Sequence, residues 1–285
     1  MSQRKRSPKP QVAAEETTLE ERADRLARLA NDPTLIPGIY NYCDRWCERC
    51  PQTARCLVFK TEQARKAKRD GRAASRDPEN QEFWGDLTES FTLALHMVRR
   101  EAKKRGIDLD SKEIMESVKA EERQRRRRAA REGSALHRAA AAYWKSARTL
   151  LDRLPDELRS TEDELNTQLR LGAGDPQGVA ADIRDALEVV QWYLFFIDVK
   201  LSRAVAGRVD EAVEGNDGFP SDADGSAKVA LVGVDRSIGA WARLRGHLES
   251  EADAILDLLV RLEKLRRAVE REFPHARAFK RPGFD

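Results

Sequence analysis

The sequence predicts an all-α protein: an antiparallel helical bundle preceded by a small N-terminal four-cysteine module. Apolar residues recur at steps of three and four almost throughout the chain after residue 81. Aromatic residues make up only 6% of the 285 residues and charged ones 35%, a balance that suits exposed helices better than sheets. A hydrophobic content of 40% is enough to bury a core, which excludes wholesale disorder.

The elements are expected in this order. Residues 1–30 combine a basic tail with a short helix whose apolar positions are Leu19, Ala23, Leu26 and Leu29 or Ala30, stopped by Asn31, Asp32 and Pro33. Residues 31–60 form the cysteine metal-binding module, and 61–80 a charged connector that ends in Asp77 and Pro78. The bundle occupies 81–273. Its first helix is read from Phe83, Leu87, Phe91, Leu95 and Val98, taken as one buried face, and closes at Gly106. Its second runs from Ser134, a candidate N-cap, through Leu136, Ala140, Tyr143 or Trp144, Ala147 and Leu151 to Pro155. Gly172, Gly174, Asp175 and Pro176 then break the chain. A third helix, 179–206, is apolar on most sides between Val189 and Leu201, which makes it the central one, and Gly207 ends it. After the loop EGNDGFPSDADG, the stretch 226–272 gives two helices divided near Gly246, VALVGV being read as helix for want of a partner strand. Residues 274–285 are a C-terminal tail in which Phe279 and Phe284 are placed to dock back.

Lys and Arg number 52 against 49 Asp and Glu, a formal charge of +3. That is too small for whole-chain attraction to nucleic acid or a membrane, so any such partner must bind locally. No apolar stretch suited to a signal peptide follows the basic MSQRKRSPKP. The longest nearly apolar run, 192–201, is shorter than the roughly 20 residues of a membrane span and contains Asp198 and Lys200. A soluble, cytoplasmic protein without membrane attachment is therefore expected. In that reducing compartment clustered cysteines hold metals or do redox work rather than form structural disulfides.

The chemistry is concentrated at Cys43, Cys47, Cys50 and Cys56, spaced C-x3-C-x2-C-x5-C and the only cysteines present. If 43–50 is helical, the i, i+4, i+7 spacing puts three thiols on one face. Pro51 then turns the chain so that Cys56 returns as fourth ligand. Zinc and an iron–sulfur cluster both accept four thiolates. A single zinc needs sulfurs about 3.8 Å apart, and structural zinc usually gathers two separated cysteine pairs. An iron–sulfur cluster ([4Fe-4S]) is favoured, with Zn as the alternative. Ile36, Ile39, Tyr40, Tyr42, Trp46, Leu57 and Phe59 either shield the sulfurs or form a small core of their own, while Asp44, Arg45, Glu48 and Arg49 are expected to face solvent.

Two motifs resemble known cluster-binding patterns. Cys43, Cys47 and Cys50, as C-x3-C-x2-C, resemble the cluster triad of radical S-adenosylmethionine enzymes, a family built on a partial β/α barrel whose alternating strands this chain lacks. Cys47, Cys50, Pro51 and Cys56, as C-x2-C-P-x4-C, are similar to the C-terminal part of the cluster motif in certain iron–sulfur helicase-nucleases, which implies a ligand role for these cysteines and nothing more.

Other constellations are weaker. His96, His137, His247 and His275 are isolated and read as structural; the Glu272-to-His275 spacing contains Pro274. Asp182, Asp185 and Glu188 share a helix side that is either a cation site or a solvated acidic face, and the latter is favoured. Asp222-Ala-Asp224-Gly225 has Leu231 where a calcium loop needs Glu, so helix capping is preferred. Asp198, Lys200, Asp235 and Arg236 lie within apolar helices and are expected to form inter-helix ion pairs, with catalysis by these interior charges as an alternative. No Ser-His-Asp, phosphate-loop or dinucleotide pattern is present. The run Arg123–Arg131, with Arg4, Lys5, Arg6 and 65–72, offers a possible nucleic-acid surface, although Glu121, Glu122 and Glu132 favour a solvated helix face.

Overall fold

The structure, a computed structural model, describes residues 18–68, 81–132, 134–214 and 221–285. Its regular elements are all helical, with no strand among the described residues. The basic tail with Arg4, Lys5 and Arg6, residues 69–80 of the connector and loop residues 215–220 lie outside them. The chain divides into two compact units, Met1–Leu35 with Leu57–Met115, and Ile36–Cys56 with Glu116–Asp285.

In the first unit, α1 (Leu19–Ala30) starts at a capping box that the sequence reading did not assign: Thr18 Oγ1 accepts from the Glu21 amide and Glu21 Oε2 accepts from the Thr18 amide. The Asn31 side chain and amide bind the Ala27 carbonyl and end the helix where expected. α2 (Leu57–Lys68) follows the cysteine segment, and Lys60 reaches Asp32 at 3.6 Å. α3 (Gln81–Lys104) packs on α1, but not through its apolar stripe. Phe91, Leu95 and Val98 are exposed; Leu93 and Ala102 are the buried positions, and the Phe83 side chain lies outside the described residues. Ion pairs line this face. Arg22 meets Glu89 at 2.5 Å, Arg100 meets Glu20 at 2.9 Å and Asp24 at 2.6 Å, and His96 meets Glu20 at 2.7 Å, with Ala23 of α1 fully buried between them. Gly106, at φ 69°, ends α3 in the left-handed region.

α4 (Lys112–Glu132) leads into the second unit, whose core is shared by α5 (Ser134–Leu171), α6 (Pro176–Glu214), α7 (Asp222–His247) and α8 (Ala252–Glu272). α5 buries Leu136, Ala140, Tyr143, Ala147, Leu150 and Leu154, close to the expected face. It does not stop at Pro155 but carries it within the helix to Leu171, where Gly172 and Gly174, both at positive φ, make the turn. α6 is the longest buried helix, with Tyr193, Ile197 and Leu201 at or near full burial, although Phe195 and Val199 face outward. Gly207 does not end it. A Cβ there would lie 3.1 Å from the Ala223 amide nitrogen and 3.3 Å from its Cα, so the missing side chain is what lets α6 and the first turn of α7 approach. α7 begins at Asp222, inside the stretch read as loop, because Ser221 Oγ accepts from the Asp224 amide as N-cap. Its small residues bring neighbours in close: a Cβ at Gly233 would sit 3.0 Å from the Tyr193 ring. The deepest polar contact joins α5 and α7, where Trp241 Nε1 donates to Tyr143 Oη at 3.1 Å with both residues buried. No helix among the described residues is long and apolar enough to cross a membrane.

Candidate metal centre

All four cysteines fall in the second unit, on a segment that never becomes α-helical. The conditional helix over 43–50 is broken at Arg45, whose φ of 61° is the one positive value at a non-glycine residue among those described. Beyond the break the chain makes two short 3-10 turns, Cys47–Arg49 and Thr53–Arg55. Cys47 opens the first of these and Cys50 closes it, the Cys50 amide binding the Cys47 carbonyl; Cys56 closes the second, its amide binding the Thr53 carbonyl. Pro51 directs Cys50 into the extended region, as its sequence position implies.

Each cysteine is half-buried and none is in a disulfide. The Gln52 amide donates to Cys50 Sγ at 3.4 Å, and the Cys43 thiol points at the Tyr40 carbonyl at 3.6 Å. Burial pushes the Cys43 thiol up from its usual range, opposed by the backbone at Arg45 and by the charges of Arg45 and Lys200. Among the described residues, no group of three or more His, Cys, Asp and Glu side chains is placed to hold a metal ion. Loading any centre here requires the thiols to turn toward a common point, and as donors four thiols suit thiophilic metals.

The segment is anchored to α6 and α7 by residues whose role the sequence reading did not assign. Asp44, expected in solvent, is instead the hub. Its Oδ2 accepts from Tyr193 Oη and Arg236 Nη1, each at 2.5 Å, its Oδ1 accepts from the Trp46 amide at 3.1 Å, and its carbonyl accepts from Trp192 Nε1 at 3.1 Å. Burial and then the Asp44 carboxylate push the Tyr193 phenol well up, so it stays a donor. Trp46, nearly fully buried, stacks on Trp192 with centroids 4.9 Å apart and planes at 13°. Arg49 lies 4.1 Å over the Trp46 ring and bridges Asp185 and Glu188, while Arg243 bridges Asp182 and Asp185 and His247 meets Asp182. The acidic side of α6 stays partly exposed and pairs with Arg49, Arg243 and His247.

A second anchor lies N-terminal to the cysteines. Tyr42 Oη hydrogen-bonds Asp222 at 3.0 Å, and burial and that carboxylate push the phenol up to about 12. Asp222 is itself held by Arg203 at 2.7 and 3.1 Å, which keeps its carboxyl low against the effect of burial. The tail closes over this face. Phe279 rests on the Tyr42 ring, Gln52 Nε2 donates to the Gly283 carbonyl at 2.9 Å, and Gly283 sits against Ile36 and Ile39.

The interior charges singled out in the sequence are met one by one. Asp198 pairs with His137 at 3.0 Å, Asp235 with Arg277 and Arg266, and Arg236 with Asp44 and Tyr193; Lys200 donates to the Asn41 carbonyl at 3.2 Å. A groove of ≈ 440 Å³ between the end of α5 and the start of α6 is lined by Leu158, Leu165, Ile183 and Leu187, and none of the four charges lines it. Of the basic run, Arg125 pairs with Asp210, Arg126 with Glu122, and Arg123 with the Lys119 carbonyl; the side chains from Arg128 onward lie outside the described residues. No family model, curated protein or solved structure matches this chain.

Proposed function

We propose that Cys43, Cys47, Cys50 and Cys56 bind an iron–sulfur cluster, [4Fe-4S], that fastens residues 36–56 to an antiparallel helical bundle of a cytoplasmic protein, with a structural, redox or sensory role. The observation that carries the reading is that every cysteine of the chain falls between residues 43 and 56, half-buried and unbridged, on a segment that long-range contacts hold in place. A cluster, whose irons lie apart, tolerates wider sulfur spacing than a single zinc, which needs sulfurs about 3.8 Å from one another. When bound, the cluster supplies a one-electron couple and a four-point cross-link. Asp44, Trp46 and Arg49 hold the segment against α6 and α7, and the tail covers its Ile36–Ile39 end.

Anaerobic purification followed by visible absorption and elemental analysis tests this directly. Iron and sulfide in near-stoichiometric amount are expected, and Cys47→Ser should lose most of the iron. Stoichiometric zinc would replace the cluster by the zinc alternative. Absence of both metals, or full iron occupancy in Cys47→Ser, would overturn the ligand set.

A further inference from the structure

We propose that the outer face of α3 is an interface between two copies of this chain, which pair antiparallel about Leu95. The face carries Trp84, Phe91, Leu95 and Val98, all exposed, Phe91 to 67%. At roughly 100° per residue these four fall within an arc of about 60°, directly opposite Leu93, which is buried on the side that meets α1. Ile107 prolongs the stripe. Its amide binds the Ala102 carbonyl across the left-handed turn at Gly106, an arrangement that lays the residue after the turn against the last turn of the helix. Ala102 falls on the stripe side and is buried there, while Ile107 stays exposed.

The five side chains expose about 500 Å² of apolar surface, at the upper end of what a monomer shows in one patch. The segments outside the described residues, 1–17, 69–80, 133 and 215–220, contain only Met1, Val12 and Phe219 as large apolar residues, too few to cover it. A second copy supplies what is missing. With the two-fold axis at Leu95, that residue packs on its own counterpart, Phe91 falls beside the partner's Val98, and Trp84 beside the partner's Ile107, so each ring meets a smaller branched side chain. The charges of the helix agree with this direction. Residues 81–92 carry Glu82, Asp86 and Glu89 and no base, whereas 99–105 carry five bases and the single acid Glu101. Antiparallel pairing lays the basic end of one copy along the acidic end of the other, and parallel pairing would bring the two basic ends together. Joining the two faces removes about 1,000 Å² of apolar surface from water, and the polar edges at Thr88, Thr92 and Arg99 bring the total to the lower limit of specific interfaces, about 1,200 Å². An interface of that size gives a dissociable dimer, with a dissociation constant on the order of 10 μM.

The test is sedimentation velocity of the full chain under reducing conditions, over concentrations that span that value. The wild-type mass should climb from 32.3 kDa toward twice that. Leu95→Glu sets a carboxylate against its own counterpart on the axis and should raise the dissociation constant by about tenfold or more, with an unchanged far-ultraviolet dichroism because the position is exposed. Phe91→Lys and Val98→Glu should each weaken the dimer. Combined in one chain they should associate more tightly than either alone, since the antiparallel register sets the introduced ammonium of each copy beside the introduced carboxylate of the other, a recovery that simple misfolding would not produce. A wild type that stays at 32.3 kDa throughout, an association unmoved by Leu95→Glu, or a combined variant weaker than both single ones would each overturn the proposal. None of these outcomes depends on what the cysteines bind.

Discussion

Replacing Asp44 by alanine removes one carboxylate that serves two side chains and one amide at once. Its Oδ2 takes the Tyr193 hydroxyl and the Arg236 guanidinium at 2.5 Å, and its Oδ1 caps the Trp46 amide at 3.1 Å. Hydrogen bonds to a charged group contribute about 1.5–3 kcal/mol each when shielded. Only the Tyr193 bond qualifies in full, because the Asp44 side chain is 18% exposed but that of Arg236 is 52% exposed, which discounts the ion pair to about 0.5–1 kcal/mol. The sum is about 2–4 kcal/mol, and its lower end corresponds to roughly thirtyfold in an opening equilibrium. The loss is local to the cysteine segment, so the assay is native-state hydrogen exchange over residues 36–56 rather than global unfolding. Asp44→Ala should speed exchange there by about thirtyfold or more, with the near-ultraviolet dichroism of the Trp46–Trp192 stack weakening in parallel. Arg236→Met should cost about 1 kcal/mol, and the double variant less than the sum of the two, since both remove the same contact. Exchange over 36–56 that changes less than about threefold in Asp44→Ala, or strictly additive variants, would refute the hub.

Two further outcomes follow from the packing and from one ion pair. Gly207→Val should destabilise the second unit by about 1–3 kcal/mol, since its Cβ would already press on the Ala223 backbone. Gly239→Ala, an exposed position in α7 with no atom within 4 Å of the added Cβ, should stabilise it by about 0.5–1 kcal/mol. Urea midpoints that move in the same direction for the two variants would contradict the close approach of α6 and α7. At the C-terminus, hydrogen bonds from Arg281 hold the Asp285 side chain down at about 2, below the roughly 3.9 of an unfolded aspartate. A depressed folded value means that the contribution is complete above about pH 4 and is lost as pH falls toward about 2. The stability gap between wild type and Asp285→Asn should therefore narrow on acidification below about pH 4. A gap that stays constant or widens there would be the wrong sign.

Periodicity was enough to read the helices whose apolar face meets other apolar faces, as in α5, where Leu136, Ala140, Tyr143 and Ala147 are buried together. It failed on α3, where Phe91, Leu95 and Val98 carry the apolar stripe but Glu89, His96 and Arg100 face α1, because the partner helix offers Glu20, Arg22 and Asp24. A stripe in one helix says nothing about what the facing helix will offer. The stop signals failed in a similar way. Pro155 and Gly207 are each placed where a helix could end, yet α5 continues through the first, and the second is a contact point with Ala223, which only the fold reveals. At the candidate site the cysteine spacing was visible, and Lys200 and Arg236 stood out as charges in apolar helices. Asp44 did not, since a short acid between Cys43 and Cys47 reads as surface until Tyr193 and Arg236 are placed beside it.

That difference bears on how the site assembles. The four cysteines are close in sequence, but every group that holds their segment on the helices comes from far along the chain. Asp185, Tyr193, Lys200, Asp222 and Arg236 lie on α6 and α7, and Gly283 near the C-terminus. The segment itself offers three 3-10 turns, too short and too poorly bonded to persist alone. Closing a loop from residue 44 to residue 236 carries an entropic cost that grows only slowly with length, and it is offset when α6 and α7 already present Tyr193 and Arg236 together. The half-buried positions of the thiols therefore rest on contacts with residues more than a hundred positions downstream, on α6, α7 and the tail.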